Sequence, residues 1–246
     1  MKKHLLALAV MFTIVNVALS QINLNVDWGY EGLYSSTIQE PEQIREDNFE
    51  KYLFMNSFRI NVMPEFMLTK RISIMGGLRF SYNQSVLKNK KNEYNNEDHE
   101  MFWMTGAQGA DLYYYTLDKI RQKTMCIGVP VAGKFNVRGS DVFISPFIKF
   151  GGSVNFGISN KYDAVMSDSQ MSKHKSEIED DIEDDNNVVY FTAWGSAGLQ
   201  LGKKQKFAFE VIIPTFCLGS YSAFTDTNWG FGCAVSWIIP LSTSNN

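Results

Sequence analysis

The chain has 246 residues, of which 45% are hydrophobic and 20% charged, and a formal net charge of −3. That balance is ordinary for a globular protein and decides no fold by itself, but its acidity makes nucleic acid no obvious partner. Beyond the N-terminus no apolar stretch is long enough to cross a bilayer as a helix, so membrane entry would require a closed sheet.

The first twenty residues carry an address. Lys2 and Lys3 form a basic start, Leu5 to Leu19 is an apolar run, and Ala18-Leu19-Ser20 presents small residues before Gln21. This is the pattern of a cleavable secretory signal peptide over 1–20, leaving 21–246 as one domain. A transmembrane anchor is the alternative, but the run is short and broken by Asn16. No cysteine follows the cleavage point, so a lipoprotein anchor is unsupported. Without Lys2 and Lys3, 21 basic residues face 26 acidic ones, a net charge of −5.

From Ile22 onward apolar and polar residues alternate, the period of a pleated strand. Ile22, Leu24, Val26, Trp28 and Tyr30 fall on one side, Asn23, Asn25, Asp27, Gly29 and Glu31 on the other. The next strand runs from about Phe54 to Leu68 and, across Thr69-Lys70-Arg71, forms a hairpin with a third over Ile72 to Tyr82. A fourth is expected near Lys123 to Val137, closed by Arg138-Gly139-Ser140, and a fifth over Asp141 to Gly157. Pro130 and Pro146 each remove a ladder donor from these two. Strand six spans about Val188 to Leu201, with a turn at Gly202 to Gln205; strand seven spans Phe207 to Ile213, and strand eight Trp229 to Ile239. Connections after strands two, four and six are short. Those near Ser35 to Leu53, Gln84 to Gln122, Ser159 to Asn187 and Ser220 to Thr227 are long. The expectation is an all-β, eight-stranded, antiparallel up-and-down transmembrane β-barrel of a bacterial outer membrane, with short periplasmic turns and long extracellular loops.

A secreted soluble barrel of lipocalin type would alternate too. Its polar face, however, would meet water and be richly charged. Here that face is mostly Gly, Ser, Asn, Ala and Thr, which suits a narrow interior. Its charges are Asp27, Glu31, Glu65 and Glu210 against Arg59, Arg79, Lys134 and Lys149, four of each sign. Buried charges must be paired, so these eight are expected to form a balanced network that plugs the lumen; a narrow path for a small solute is the alternative. On the other face, Trp28, Tyr30, Phe80, Tyr82, Trp229 and Phe231 are placed at the outer rim, and Phe66, Phe135, Phe207 and Trp237 at the periplasmic rim.

Other residues that carry chemistry point elsewhere. Cys126, Cys217 and Cys233 are an odd number without metal-ligand spacing, and read as small apolar wall residues. His99 and His174 lie in polar segments with no serine beside either, so no catalytic constellation, metal site or cofactor is expected. An envelope lipid-modifying enzyme is the remote alternative. Glu177 to Asp185 is densely acidic but lacks calcium-loop spacing, and reads as a mobile, self-repelling loop. Met101-Phe102-Trp103-Met104 and Tyr113-Tyr114-Tyr115 read as packing over the barrel mouth, with an exposed partner patch or a strand extended above the membrane as the other options.

The order of segments resembles the PorT-type outer-membrane β-barrel family. The matching pieces are the Phe58 to Tyr82 hairpin, Ile127-Gly128-Val129-Pro130-Val131-Ala132-Gly133-Lys134-Phe135 in place of the family's apolar-Pro-apolar-Lys-aromatic strand, and the glycine-rich strands at Phe150-Gly151-Gly152 and Gly195 to Gly202. The long second loop and the final tail depart from the pattern. The resemblance implies a barrel with no catalytic motif and a structural, envelope or loop-mediated role. The expected partners are outer-membrane lipid and lipopolysaccharide, and envelope or secretion-machinery proteins.

Overall fold

The computed structural model describes residues 22–35, 53–88, 101–105, 113–138, 142–183, 188–203, 206–222 and 225–241; the signal segment and His99 lie outside them. Its strands are β1 (Ile22–Ser35), β2 (Leu53–Met67), β3 (Ile72–Gly76), β4 (Leu78–Lys88), β5 (Met101–Thr105), β6 (Tyr113–Asn136), β7 (Ile144–Met166), β8 (Val189–Leu201), β9 (Lys206–Ser222) and β10 (Thr225–Pro240). One helix, α1 (Lys175–Glu183), follows a 3-10 turn at Ser169–His174. All pairings are antiparallel, and β1 pairs with both β2 and β10, so the sheet closes on itself. β3 and β4 together make one stave between β2 and β6. With β5 outside the ring, the barrel has eight staves, as the alternation implies. Closure removes every edge within the ring, which a sheet in hydrocarbon requires.

The third expected strand is interrupted where the pattern showed continuity. Gly77 lies against β2 so closely that a Cβ there would stand 2.1 Å from the Val62 carbonyl oxygen. Its N–H donates to the Pro130 carbonyl at 3.1 Å. A residue's N–H and C=O point to the same neighbour, so the donor Pro130 lacks is the one that would face this break. Pro146 is accommodated likewise at the end of β7, beside the turn, where its carbonyl accepts from Val137 at 2.8 Å.

The larger departures are all at the loop end. β4 continues to Lys88, and β6 and β7 run for 24 and 23 residues, so the second and third connections are shorter than the sequence pattern indicates. Residues Tyr113–Thr124 continue β6 for roughly 40 Å past the apolar wall at ~3.3 Å per residue. β5 pairs along β6 in line with β4, placing Met101–Thr105 opposite Tyr113–Leu117. Both aromatic segments are therefore strands above the barrel. The last upper connection is tight, because β9 extends to Ser222 and β10 begins at Thr225. The alternation beyond Ile213 is hidden in sequence by bulges opposite Trp194/Ser196 and Gly230/Gly232.

Polarity is inverted relative to a water-soluble fold. Asn25, Asp27, Asn61, Glu65, Lys149 and Glu210 are buried, while Phe58, Val131, Phe150, Val211, Ile213 and Trp229 are more than half exposed. The exposed apolar residues from Ile72 through Leu78 and Phe80 lead up to Tyr82, a rise of about 33 Å along the stave. At a ~40° tilt that is about 25 Å along the axis, the height of a membrane belt. The row above Tyr30, Phe58 and Tyr82 is Asn56, Gln84 and Lys123, so the belt ends there on this side. Trp28 and Phe80 sit a row below that edge, level with Ile60, rather than at the rim itself. Phe207 and Trp237 stack at 6.4 Å near the turn end. Val211→Arg, in the middle of the β9 face, is expected to destabilise the barrel in bilayers by about 2–4 kcal/mol; urea titration in vesicles measures this, and a near-zero change would mean water covers the face.

Candidate functional site: the filled lumen and the ribbon above it

The eight charges assigned to the interior all point inward and are at most 5% exposed. They are arranged in levels. Nearest the short turns, Lys134 Nζ lies 3.3 Å from Glu65 Oε1 and donates to Gln200 at 2.7 Å, while Ser73 donates to Glu65 at 2.6 Å. Next, Lys149 donates to Glu210 at 2.6 Å and stands 3.7 Å from Asp27, with Ser196 donating to Glu210 at 2.9 Å. Asn61 joins this level to the one above: its amide donates to Asp27 at 2.7 Å and its carbonyl accepts from Arg79 Nε at 2.8 Å. Arg79 also donates to Ser153 at 2.9 Å, and Ser153 meets Thr192 at 2.6 Å. Arg59 Nε is 2.9 Å from Glu31 Oε1, an ion-pair contact without hydrogen-bond alignment.

Three features of this interior were not read from the sequence. Trp194 projects into its centre with Arg79 at 4.6 Å and Arg59 at 5.4 Å from the ring centroid. Among the described residues Arg79 has no carboxylate within 4 Å, so neutral oxygens and the indole face stabilise its charge. Wall glycines make the room: a Cβ on Gly151 would lie 2.5 Å from the Trp194 ring, and one on Gly29 2.6 Å from Arg59 Nε. Lys206, one residue before the expected start of strand seven, is a further buried cation. Alternation in β8 runs unbroken through Tyr190, Thr192, Trp194 and Ser196, since the extra residue of the adjoining bulge lies on β9, so period two already turns Trp194 inward; its size is what sets it apart from the small polar residues expected on that face.

Above the charges the interior turns apolar. Leu33, Met55, Leu87, Tyr115, Leu117, Ile120, Cys126, Tyr162, Ile178 and Tyr190 form one buried cluster. Tyr190 accepts from Asn83 at 3.0 Å. Cys126 and Cys217 face inward and Cys233 outward, all three as free thiols. Ile178 comes from α1, which corrects the expectation of a mobile acidic loop over that part of the segment. Here β7 has outrun β8 and its edge is open. Glu179 accepts from the Ala164 N–H of that edge at 2.9 Å, so an acidic helix anchored through Ile178 covers exposed backbone. β5 covers the opposite edge, on β6.

Lys175 ties the helix down, donating to Asp163 at 2.5 Å and lying 3.4 Å from Glu179. This hydrogen bond holds the Asp163 carboxyl below its ordinary value and raises the Lys175 ammonium. The contact is lost as pH falls through the first or rises through the second, and its exposure makes it a weak tether. His174 sits beside Glu177 at 3.1 Å and against the Tyr115 ring at 5.0 Å. Its contacts position a turn and hold no nucleophile. Among the described residues no group of acidic, histidine or cysteine side chains is arranged to hold a metal ion.

No family model matches the chain, and no curated protein is similar to it in sequence. Among solved structures it is similar to Neisserial surface protein A, at 10% identity and a TM-score of 0.36 over 88% of this chain and 96% of that one. Ail, the attachment invasion locus protein of Yersinia pestis, gives 9%, 0.35, 89% and 97%. The N-terminal β-barrel domain of Pseudomonas aeruginosa OprF gives 11%, 0.33, 89% and 99%. Likenesses this distant carry no argument about function, which is read instead from the residues above.

Proposed function

We propose that this chain is an integral β-barrel of a bacterial outer membrane, exported by its first twenty residues, that does not conduct and acts through what it displays at the surface. The observation that supports this most is the lumen. Its polar part is crossed by a chain of hydrogen bonds, joined between Lys149 and Asp27 by a 3.7 Å ion pair, from Ser196 through Glu210, Lys149, Asp27, Asn61 and Arg79 to Ser153, and its upper part is filled by the apolar cluster under α1. An eight-stave barrel has only enough interior for side chains. Among the described residues, the part of the molecule that reaches furthest beyond the belt is the β6–β7 ribbon, with both edges covered. The role is structural or interactive rather than catalytic, and the PorT-type resemblance belongs with this reading, as do envelope or secretion-machinery partners meeting the ribbon.

A narrow channel is the second reading, favoured by buried guanidinium nitrogens on Arg59 and Arg79 that make no hydrogen bond among the described residues. Planar-bilayer recording separates the two. The wild-type chain is expected to give no conductance steps; stable steps that disappear when Arg79 or Glu65 is neutralised would make it a channel.

A further inference from the structure

The outward face of the ribbon's base is basic, although the chain as a whole is acidic. In β6, Ile120, Gln122 and Thr124 are buried, so Lys119, Arg121 and Lys123 alternate to the outside. The register sets Lys88 of β4 opposite Lys119, and sets Asp163 and Lys161 of β7 opposite Arg121 and Lys123. Five cations therefore share three adjacent strands with two carboxylates. Asp118, exposed at the β6 bulge above Lys119, accepts from Ser167 at 2.9 Å, and Asp163 is already held by Lys175 and lies 3.5 Å from Arg121. Among the described residues Lys88, Lys119, Lys123 and Lys161 have no carboxylate within 4 Å.

Two of these contacts, Lys88 with Lys119 and Lys123 with Lys161, place like charges directly across a strand pair, which destabilises a sheet. A bound anion would reverse the sign of that term. Immediately below, Met125 and Ile127 of β6 and Tyr82 of β4 continue the same face into the apolar belt. Alternate residues stand ~6.6 Å apart and cross-strand neighbours ~5 Å apart, so the ladder from Lys119 to Lys123 spans about 13 Å by two or three residues. An occupant needs anionic groups at the height of the ladder and hydrocarbon at the height of the belt. Basic clusters at a membrane surface recruit anionic lipid on these grounds.

We propose that this face, formed by Lys88, Lys119, Arg121, Lys123 and Lys161 above Tyr82, Met125 and Ile127, binds the phosphorylated headgroup of a lipid in the leaflet on the loop side. The proposal rests on the membrane reading given above and adds to it a lipid class and a position.

The test uses the full mature chain folded in detergent, with native mass spectrometry reporting retained lipid. The probes are diphosphorylated lipid A, the same glycolipid stripped of phosphate, and inorganic phosphate. Wild type should retain the diphosphorylated lipid at least tenfold better than the stripped one. K119Q/R121Q/K123Q/K161Q should lose at least tenfold, and K119R/K123R/K161R should keep the wild-type level. Heat-modifiable migration on a gel checks that each variant is folded; if the fourfold variant is not, R121Q/K123Q replaces it, with a several-fold loss expected. Equal retention of stripped and phosphorylated lipid, or undiminished retention by the glutamine variants, overturns the proposal. So does full displacement of the lipid by an equal concentration of inorganic phosphate, which would indicate a soluble-anion site. A chain that fractionates without detergent sinks the membrane reading itself; one that inserts but retains no lipid sinks only this inference.

Discussion

Glu65→Leu is expected to lower the unfolding free energy of the barrel by about 3–5 kcal/mol, because it strands a cation rather than merely deleting a contact. Glu65 is 1% exposed and is the carboxylate within reach of Lys134; once it is gone, Lys134 is left among the described residues with the neutral Gln200 oxygen at 2.7 Å and the Phe147 ring at 5.1 Å. The Ser73 hydroxyl, which donates to Glu65 at 2.6 Å, loses its acceptor as well. Adding Lys134→Met to the same chain should recover most of the loss, since an apolar pair of similar volume avoids the cost of burying two charges. Urea unfolding in lipid vesicles, followed by tryptophan fluorescence, gives both values. A single variant as stable as wild type would mean that water reaches Lys134 freely, and the lumen would not be plugged at that level.

Trp194→Ala carries the second large effect. The indole is 5% exposed and lies beneath both arginines, so truncation removes the packing of a large buried ring, about 3–5 kcal/mol, together with its attraction for two guanidinium groups. It also opens space in the middle of the lumen, next to donors on Arg59 and Arg79 that make no hydrogen bond among the described residues. The expected result is a barrel that still folds, unfolds at lower urea, and shows conductance steps absent from the wild type. Trp194→Phe keeps a ring face and should restore closure and most of the stability. If Trp194→Ala remains silent in bilayers while Glu65→Leu conducts, the constriction lies at the turn end and not at the indole.

The two variants probe different links between residue and function. Glu65 lies on a stretch whose strict alternation assigns every side chain to a face, and its inward direction follows from that pattern alone. Trp194 also faces inward by alternation, with Tyr190, Thr192 and Ser196, but the cations its ring meets come from β2 and β4, and period two does not name them. The long ribbon was obscured for a related reason. Leu117 to Thr124 contains alternation, but a bulge interrupts it at Asp118 and its outward residues Asp118, Lys119, Arg121 and Lys123 are charged rather than apolar, so the segment resembles a polar loop until a partner strand is identified. Glu177 to Asp185 shows the same thing in a helix: its charge density suggests repulsion, while its first part is ordered by a strand edge more than ten residues away in sequence.

Side-chain direction within a strand is a local property of period two, and so the strands, their two faces, the short turns and the inward set of Asp27, Glu31, Arg59, Glu65, Arg79, Lys134, Lys149 and Glu210 could all be derived from residue order. Which of those charges meet depends on register between strands separated by as many as about two hundred residues, and no local pattern encodes that. The pairing of Lys149 with both Glu210 and Asp27, the contact of the indole with two arginines, and the covered edges of the β6–β7 ribbon therefore exist only once the sheet has closed. Closure brings distant strands to about 5 Å and makes each buried donor choose among the acceptors it then meets.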